Sequence, residues 1–176
     1  MASELARRRF AEMVLPHLDE AYALARWLTG NAADAEDVVQ DACIRALQAL
    51  ETTPVLRPRP WLLTIVRNMT FTWLTKNRPK MVQPIADESE AAGSMEVVAS
   101  GAPTPEEALI AAADRDRVRT AIAALPHVFR EALVMREING LSYRDIAEAI
   151  GVPVGTVMSR LARARAILIG ELGGIG

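Results

Sequence analysis

Apolar residues recur at three- and four-residue spacings through most of the chain and nowhere alternate with period two, so the pattern predicts helices throughout. The first predicted helix runs roughly from Glu4 to Leu28 and closes at Gly30, a natural helix-terminating residue. A second begins near Asp34, places Val39, Cys43, Ala46 and Leu50 on its buried stripe, and ends at the Thr52 to Pro54 turn. A loop bearing Pro54, Pro58 and Pro60 follows. The third helix is expected from Trp61, with Leu62, Ile65, Val66, Met69 and Trp73 inward, stopping before Pro79.

From Gln83 to Pro105 the periodicity lapses into Ala, Ser, Gly and Pro with Asp87, Glu88, Glu90 and Glu96 and no basic residue, a linker composition. Thr104-Pro105-Glu106-Glu107 then signals a helix start, with a capping threonine, proline in the first turn and acids at the positive end of the dipole. The expectation is an all-α fold of two small helical domains, residues 1–82 and 106–176, joined by a flexible acidic linker over 83–105.

Composition narrows the function. A hydrophobic fraction of 51% in 176 residues supports real cores, and an aromatic fraction of only 5% suits helical packing. No apolar run approaches a bilayer-spanning length, and the start MASELARRRFAEMV lacks the features of a secretory signal, so a cytoplasmic protein without membrane insertion is expected. Cys43 has no partner for an internal disulfide, and His17 and His127 are not at metal-ligand spacing from any cysteine. With no nucleotide-binding glycine loop or nucleophile elbow either, we expect no catalytic residue, no metal, no cofactor and no small-molecule substrate. The net charge of −2 conceals an uneven distribution. Thr52 to Ala86 contains no acid but carries Arg57, Arg59, Arg67, Lys76, Arg78 and Lys80, just after an acidic cluster of Asp34, Glu36, Asp37 and Asp41.

The segment Gly140 to Arg165 has the grammar of a helix-turn-helix. Ser142 caps a short helix turning Ile146, Ala147 and Ile150 inward, Gly151 supplies the tight turn, and a longer helix opens near Val154 or Gly155. There Val157, Leu161, Ala164 and Leu168 form the buried face, while Thr156, Ser159, Arg160 and Arg163 share a polar face able to reach base edges and phosphates in a major groove. A plain helical hairpin would need neither the glycine, nor the small Ala147 at the crossing, nor a surface free of acid from Thr156 to Ile169.

The run LPHVFREALVMREINGLSYRDIAEAIGVPVGTVMSRLARARAIL resembles region four of sigma factors. DAEDVVQDACIRALQAL resembles their region 2.2 and PWLLTIVRN their region 2.3. The likeness is to the extracytoplasmic-function subfamily of sigma-70 factors. It implies a non-enzymatic subunit that gives RNA polymerase its promoter specificity, with core RNA polymerase (β′ clamp helices and β flap), promoter DNA and an anti-sigma factor as partners. By this resemblance Asp37, Gln40, Asp41 and Ile44 meet the β′ clamp helices, and their spacing agrees with an exposed ridge. Favourable acid at a helix N-terminus accounts for Asp34 and Glu36 but gives Gln40 and Asp41 no role.

The third helix resembles the element that melts the minus-ten sequence, where unstacking a base costs a few kcal/mol that pocket contacts offset. Arg67, Asn68, Phe71, Thr75 and Arg78 on it, with Arg57 and Arg59 in the preceding loop, are the candidate minus-ten residues. Trp61 and Trp73 are read as core. Where family members often carry charged residues, this chain has Thr72-Trp73-Leu74-Thr75, which bears on the preferred minus-ten base. Thr156, Ser159, Arg160, Arg163 and Arg165 are the minus-thirty-five candidates. The competing reading is a helix-turn-helix regulator acting without core polymerase, which leaves the Asp37, Gln40, Asp41 ridge unexplained.

Overall fold

The computed structural model describes residues 1–82 and 105–173, and among these every regular element is helical. The linker predicted from Gln83 lies outside the described residues, as does Thr104, while Pro105 opens a helix.

The single first helix expected from Glu4 to Leu28 is two. α1 spans Glu4–Met13, a 3-10 turn follows at Leu15–His17, and α2 spans Leu18–Thr29. The reason is Pro16, whose ring cannot sit in a helix interior and whose missing N–H breaks the ladder. Ser3 caps α1 by accepting from the Ala6 amide at 3.1 Å. Gly30 ends α2 in the left-handed conformation, φ 73°, as the sequence predicted.

α3 spans Ala32–Ala49 and starts earlier than expected, because Asn31 caps it by accepting from the Asp34 amide at 3.1 Å. Its inward stripe is also displaced. Ala35, Val38, Ala42, Ala46 and Leu50 are buried, whereas Val39 and Cys43 flank them half-buried, so the stripe lies one residue earlier than drawn from Val39 and Cys43. Small alanines there let α2 and α4 approach closely.

α4 spans Pro58–Asn77, three residues earlier than predicted from Trp61. Pro58 and Pro60 fit its first turn, where their missing N–H groups cost nothing. Leu62, Leu63, Val66, Thr70 and Leu74 are buried, and Ile65, Met69, Trp61 and Trp73 pack half-buried around them. α2, α3 and α4 pack mutually around Leu24, Leu28, Val38, Ala46, Leu63 and Val66. A second 3-10 turn at Pro79–Val82 follows.

The remaining helices are α5 (Pro105–Ala124), α6 (His127–Leu133), α7 (Tyr143–Ile150) and α8 (Val154–Gly173). α6 widens into a π-turn at Val134–Ile138 that brings Leu141 beneath the helix-turn-helix. Leu125, Phe129, Met135, Leu141, Ile146, Val157 and Leu161 are among the buried side chains of this unit. Arg130 is buried too, and its guanidinium donates to the carbonyls of Ile122, Ala123 and Leu125, closing the end of α5. Burial pushes this guanidinium below its usual pKa.

The two units touch. α4 packs against α7, α2 against the π-turn, and α6 against the turn after α4.

Candidate nucleic-acid and polymerase interfaces

On α3, residues 37, 40, 41, 44 and 48, spaced three and four apart, turn outward together on the side away from the buried stripe. Asp37, Gln40, Asp41 and Gln48 are exposed, and Ile44 is a large apolar residue left 53% open among them. An apolar side chain ringed by acid and amide is the composition of a protein-contacting ridge. Asp34 faces elsewhere, at 3.3 Å from Arg78, and so does not join the ridge. Cys43 beside it has its thiol pushed up by burial.

The loop between α3 and α4 is fastened from α1. Arg9 donates to the carbonyls of Leu50 and Thr53, and Ser3 donates its amide to Glu51 at 3.0 Å. Val55 is buried at the anchored end of the loop while Leu56 stands 93% exposed. Pro54, Leu56, Pro60 and Trp61 line one wall of a groove of about 320 Å³, and Asp145 and Glu148 of α7 line the other.

The seven candidate minus-ten residues divide. Asn68, Phe71 and Thr75 present an exposed stripe on α4, with Phe71 37% open and its ring 4.8 Å beneath the Arg67 guanidinium. Arg78 instead fastens the end of α4, donating to the Thr29 carbonyl at 2.7 Å and lying 5.3 Å over the Trp73 ring. The other three arginines are held by carboxylates. Arg57 grips Asp145 through two bonds of 2.7 and 2.9 Å, Arg67 grips Glu131 through two of 2.8 and 2.9 Å, and Arg59 pairs with Glu20 at 2.7 Å.

Glu131, wholly buried, is the partner that sequence reasoning missed. His127 Nε2 lies 3.2 Å from its Oε2 without an aligned hydrogen bond, and Phe71 leans on the His127 ring at 5.8 Å. Burial works to raise the Glu131 carboxyl, but the His127 ring and the Arg67 guanidinium outweigh it and hold the carboxyl below its ordinary range. Asp145 is likewise lowered, chiefly by its hydrogen bonds to Arg57, against the opposing effect of burial. The available signal was an unpaired glutamate inside the apolar run VFREALVM, a residue type rarely buried without a cation.

The helix-turn-helix has the predicted local chemistry. Ser142 accepts from the Asp145 amide at 3.1 Å, Gly151 turns the chain at φ 81°, and α8 begins at Val154. Ile146, Ala147, Val157, Leu161 and Ala164 are buried, whereas Ile150 and Leu168 are half-buried at the edge of the core. Thr156, Ser159, Arg160 and Arg163 sit half-buried along one side of α8, and Arg165, half-buried as well, lies on the other flank of the buried stripe. Ser159 donates to the Thr156 carbonyl at 3.0 Å, Arg163 lies 5.7 Å over Phe129, and Arg165 pairs with Glu137 at 2.8 Å. The Arg165 guanidinium is raised above its usual pKa by that bond.

The fold and these faces define a helix-turn-helix protein with a second helical unit bearing an acidic ridge and a basic helix. Family comparison is specific for both units. Sigma-70 region 2 matches residues 13–79, and sigma-70 region 4 matches residues 115–168. The ECF RNA polymerase sigma factor SigW of Bacillus subtilis is 31% identical over 170 residues, covering 93% of this chain and 88% of its own. The ECF RNA polymerase sigma factor SigL of Mycobacterium tuberculosis is 36% identical over 157 residues, covering 86% of this chain and 82% of its own. Among solved structures, the sigma factor RpoE in complex with the anti-sigma factor NepR from Bartonella quintana superposes with a TM-score of 0.69 at 25% identity over 96% of this chain and 99% of that one. CnrH in complex with the cytosolic domain of CnrY gives 0.66 at 27% identity over 99% and 96%. The chain belongs to the sigma-70 family of RNA polymerase sigma factors, in its extracytoplasmic-function group. A regulator acting without polymerase would not carry region 2, and that alternative loses its support.

Proposed function

We propose that this chain binds core RNA polymerase and directs it to a particular set of promoters, serving as a non-enzymatic specificity subunit. The observation that carries this reading is the joint presence, in one chain, of an exposed ridge on a region 2 helix and a helix-turn-helix in region 4. Asp37, Gln40, Asp41 and Ile44 would dock on the β′ clamp helices, with Ile44 supplying apolar contact at the centre and the acids supplying charge complementarity. Region 4 would sit on the β flap while α8 lies in the major groove of the minus-thirty-five element, Thr156, Ser159 and Arg160 toward bases and Arg163 and Arg165 toward phosphates.

Asn68, Phe71 and Thr75 would receive the unpaired minus-ten strand, Phe71 stacking on a base, with Arg57, Arg59 and Arg67 on its phosphates. Arg78 is better suited to bracing the helix than to meeting DNA, given its bond to the Thr29 carbonyl. Residues 83–105 would act as the connector between the two domains 1–82 and 106–176. The chain works where polymerase does, in the cytoplasm, and no helix among the described residues is long and apolar enough to cross a membrane. An anti-sigma factor, the partner of RpoE in the Bartonella quintana complex, would hold it inactive until a stress signal.

Reconstitution with core polymerase and run-off transcription tests the reading. The chain should co-elute with core and produce promoter-dependent transcripts. Core binding without any promoter-dependent product would overturn it.

A further inference from the structure

Ile44 and Leu56 are both large apolar side chains open to solvent, but their charged neighbours have opposite sign. Ile44 sits on α3 among Asp37, Asp41 and two amides. Leu56 is followed by Arg57 and Arg59, in a stretch from Thr52 to Ala86 that holds no acid, and the acids that face it, Asp145 and Glu148, belong to region 4. An apolar group set in acid suits a basic protein surface. One flanked by arginines suits a polyanion, with phosphates against the guanidinium groups and bases against the apolar chain.

The chain holds Leu56 outward by several independent ties. The segment from Leu50 to Arg57 has no regular structure, yet it is fixed at both ends. The Arg9 guanidinium of α1 donates to the carbonyl of Leu50, where α3 ends, and to that of Thr53. Glu51 accepts from the Ser3 amide at 3.0 Å, which places its carboxylate at the positive end of α1. Pro54 and Pro58 restrict the residues before them to extended backbone, and Arg57 has φ −127° and ψ 85°. Val55 is buried between these ties and Leu56 is turned out.

We infer that Leu56 is an apolar wedge that enters between base steps of the minus-ten element, and that Arg9 is the positioning residue that holds it there from α1. The inference rests on the proposed role of α4 and its preceding loop in meeting the minus-ten strand. Leucine is among the side chains that proteins drive between base steps to unstack them. It exchanges no hydrogen bond with a base, so it separates neighbours without reading them, while Arg57 and Arg59 keep the phosphates against the loop. A wedge must not yield when the bases press back on it. Arg9 supplies that resistance by tying two loop carbonyls to a different helix, and α1 thereby takes part in promoter opening without touching DNA.

The test uses holoenzyme reconstituted with core polymerase and a promoter that the parent transcribes, in two forms: fully paired, and with the minus-ten element already mismatched open. Opening of the paired form is followed by the fluorescence of 2-aminopurine placed in the element. Leu56→Ala should slow it about tenfold, and Arg9→Ala by a comparable or smaller factor. Because both act in one step, the double variant should be no slower than Leu56→Ala alone. On the mismatched form, where the unstacking is already done, both variants should match the parent, whereas loss of a merely structural support would impair both forms alike. Circular dichroism melting checks the fold. Should Arg9→Ala lower the stability of region 2, Glu51→Ala loosens the same loop at an exposed tie and should show the same slow opening and the same recovery.

Opening at the parent rate in Leu56→Ala overturns the wedge, as does an equal defect on the mismatched form, or a loss confined to core binding, which would make Leu56 a polymerase contact. Losses for Arg9→Ala that multiply with those of Leu56→Ala overturn the positioning role. Phe71→Ala separates these failures from that of the underlying reading. If it slows opening while Leu56→Ala does not, the wedge is wrong and the role of α4 stands. If neither slows opening, the role of α4 falls and the wedge with it.

Discussion

The basic side of α4 and the polar side of α8 carry the same kinds of residue, arginines interleaved with short polar side chains, yet the chain treats them differently. On α8, Arg165 pairs with Glu137 and Arg163 lies over the Phe129 ring, both partners within region 4. On the α4 side the partners belong largely to the other unit, α7 for Arg57 and α6 for Arg67. A side chain whose partner belongs to the other unit meets a new ligand only after that partner leaves.

The strongest way to break this comparison is to damage the platform beneath α8 alone. Arg130 is 5% exposed, and its three carbonyl bonds close α5. Arg130→Ala strands those carbonyls and leaves a void, at a cost of about 3–5 kcal/mol to region 4 by the usual penalty for unsatisfied buried groups. Thermal unfolding followed by circular dichroism should then show region 4 melting first, with region 2 retaining its own transition. A single unshifted transition would mean that α8 does not depend on this support.

A smaller effect separates the two faces in the holoenzyme. Phe71→Ala removes one base-stacking platform, worth about 1–3 kcal/mol, and should slow promoter opening roughly tenfold or more while leaving closed-complex affinity unchanged. Arg160→Ala should do the reverse at comparable or smaller cost, relaxing base preference at the minus-thirty-five element by about 1–3 kcal/mol. Arg163→Ala should weaken all sequences alike and lower the salt slope by about one. Opening rates and binding to a panel of single-base promoter variants give the readings. Equal losses on every variant for Arg160→Ala would move that residue to the phosphate contacts.

How these faces arise was partly legible in the chain. Caps and stops were written locally, so Gly30, Ser142 and Gly151 placed their elements correctly from a few adjacent residues. Pro16 is equally local, but the apolar rhythm runs unbroken across it and hides the break between α1 and α2. The α3 stripe slipped because Val38 and Val39 are equally apolar, and only the close approach of α2 and α4, which favours the row containing Ala35, Ala42 and Ala46, chooses between them. The pairing between the units was not legible, although the glutamate inside VFREALVM signalled that Glu131 needs a cation. Nothing in the spacing of Arg57 and Asp145 distinguishes a partner from a distant charge, because the pairing is made by two units meeting rather than by either helix.

The smallest expected effect is that of pH on the contact between the two units, and its sign is fixed by Asp145. Glu131 is lowered despite its burial, by the His127 ring and Arg67, and Asp145 is lowered by Arg57, assisted by Ser142 and Arg144. Of these partners only Arg57 and Arg67 come from the other unit, while His127, Ser142 and Arg144 stay in place when the units part, so the sign is carried by Asp145, whose largest lowering contact is Arg57 and which binds protons less readily when the units are together. Its contribution is therefore complete above the ordinary carboxylate range of about 4 and is lost only as pH falls below it, through the depressed value. From pH 8 down to pH 5 this group should leave the radius of gyration flat, with separation of the units confined to more acid solution. Asp145→Asn should remove part of the acid response while leaving the neutral plateau flat, and Arg57→Gln should shift that response toward higher pH by releasing Asp145 from its cation. Separation centred between pH 6 and 7 in the parent chain would show that Asp145 does not govern the contact, and would turn the comparison between α4 and α8 from one of charge into one of packing.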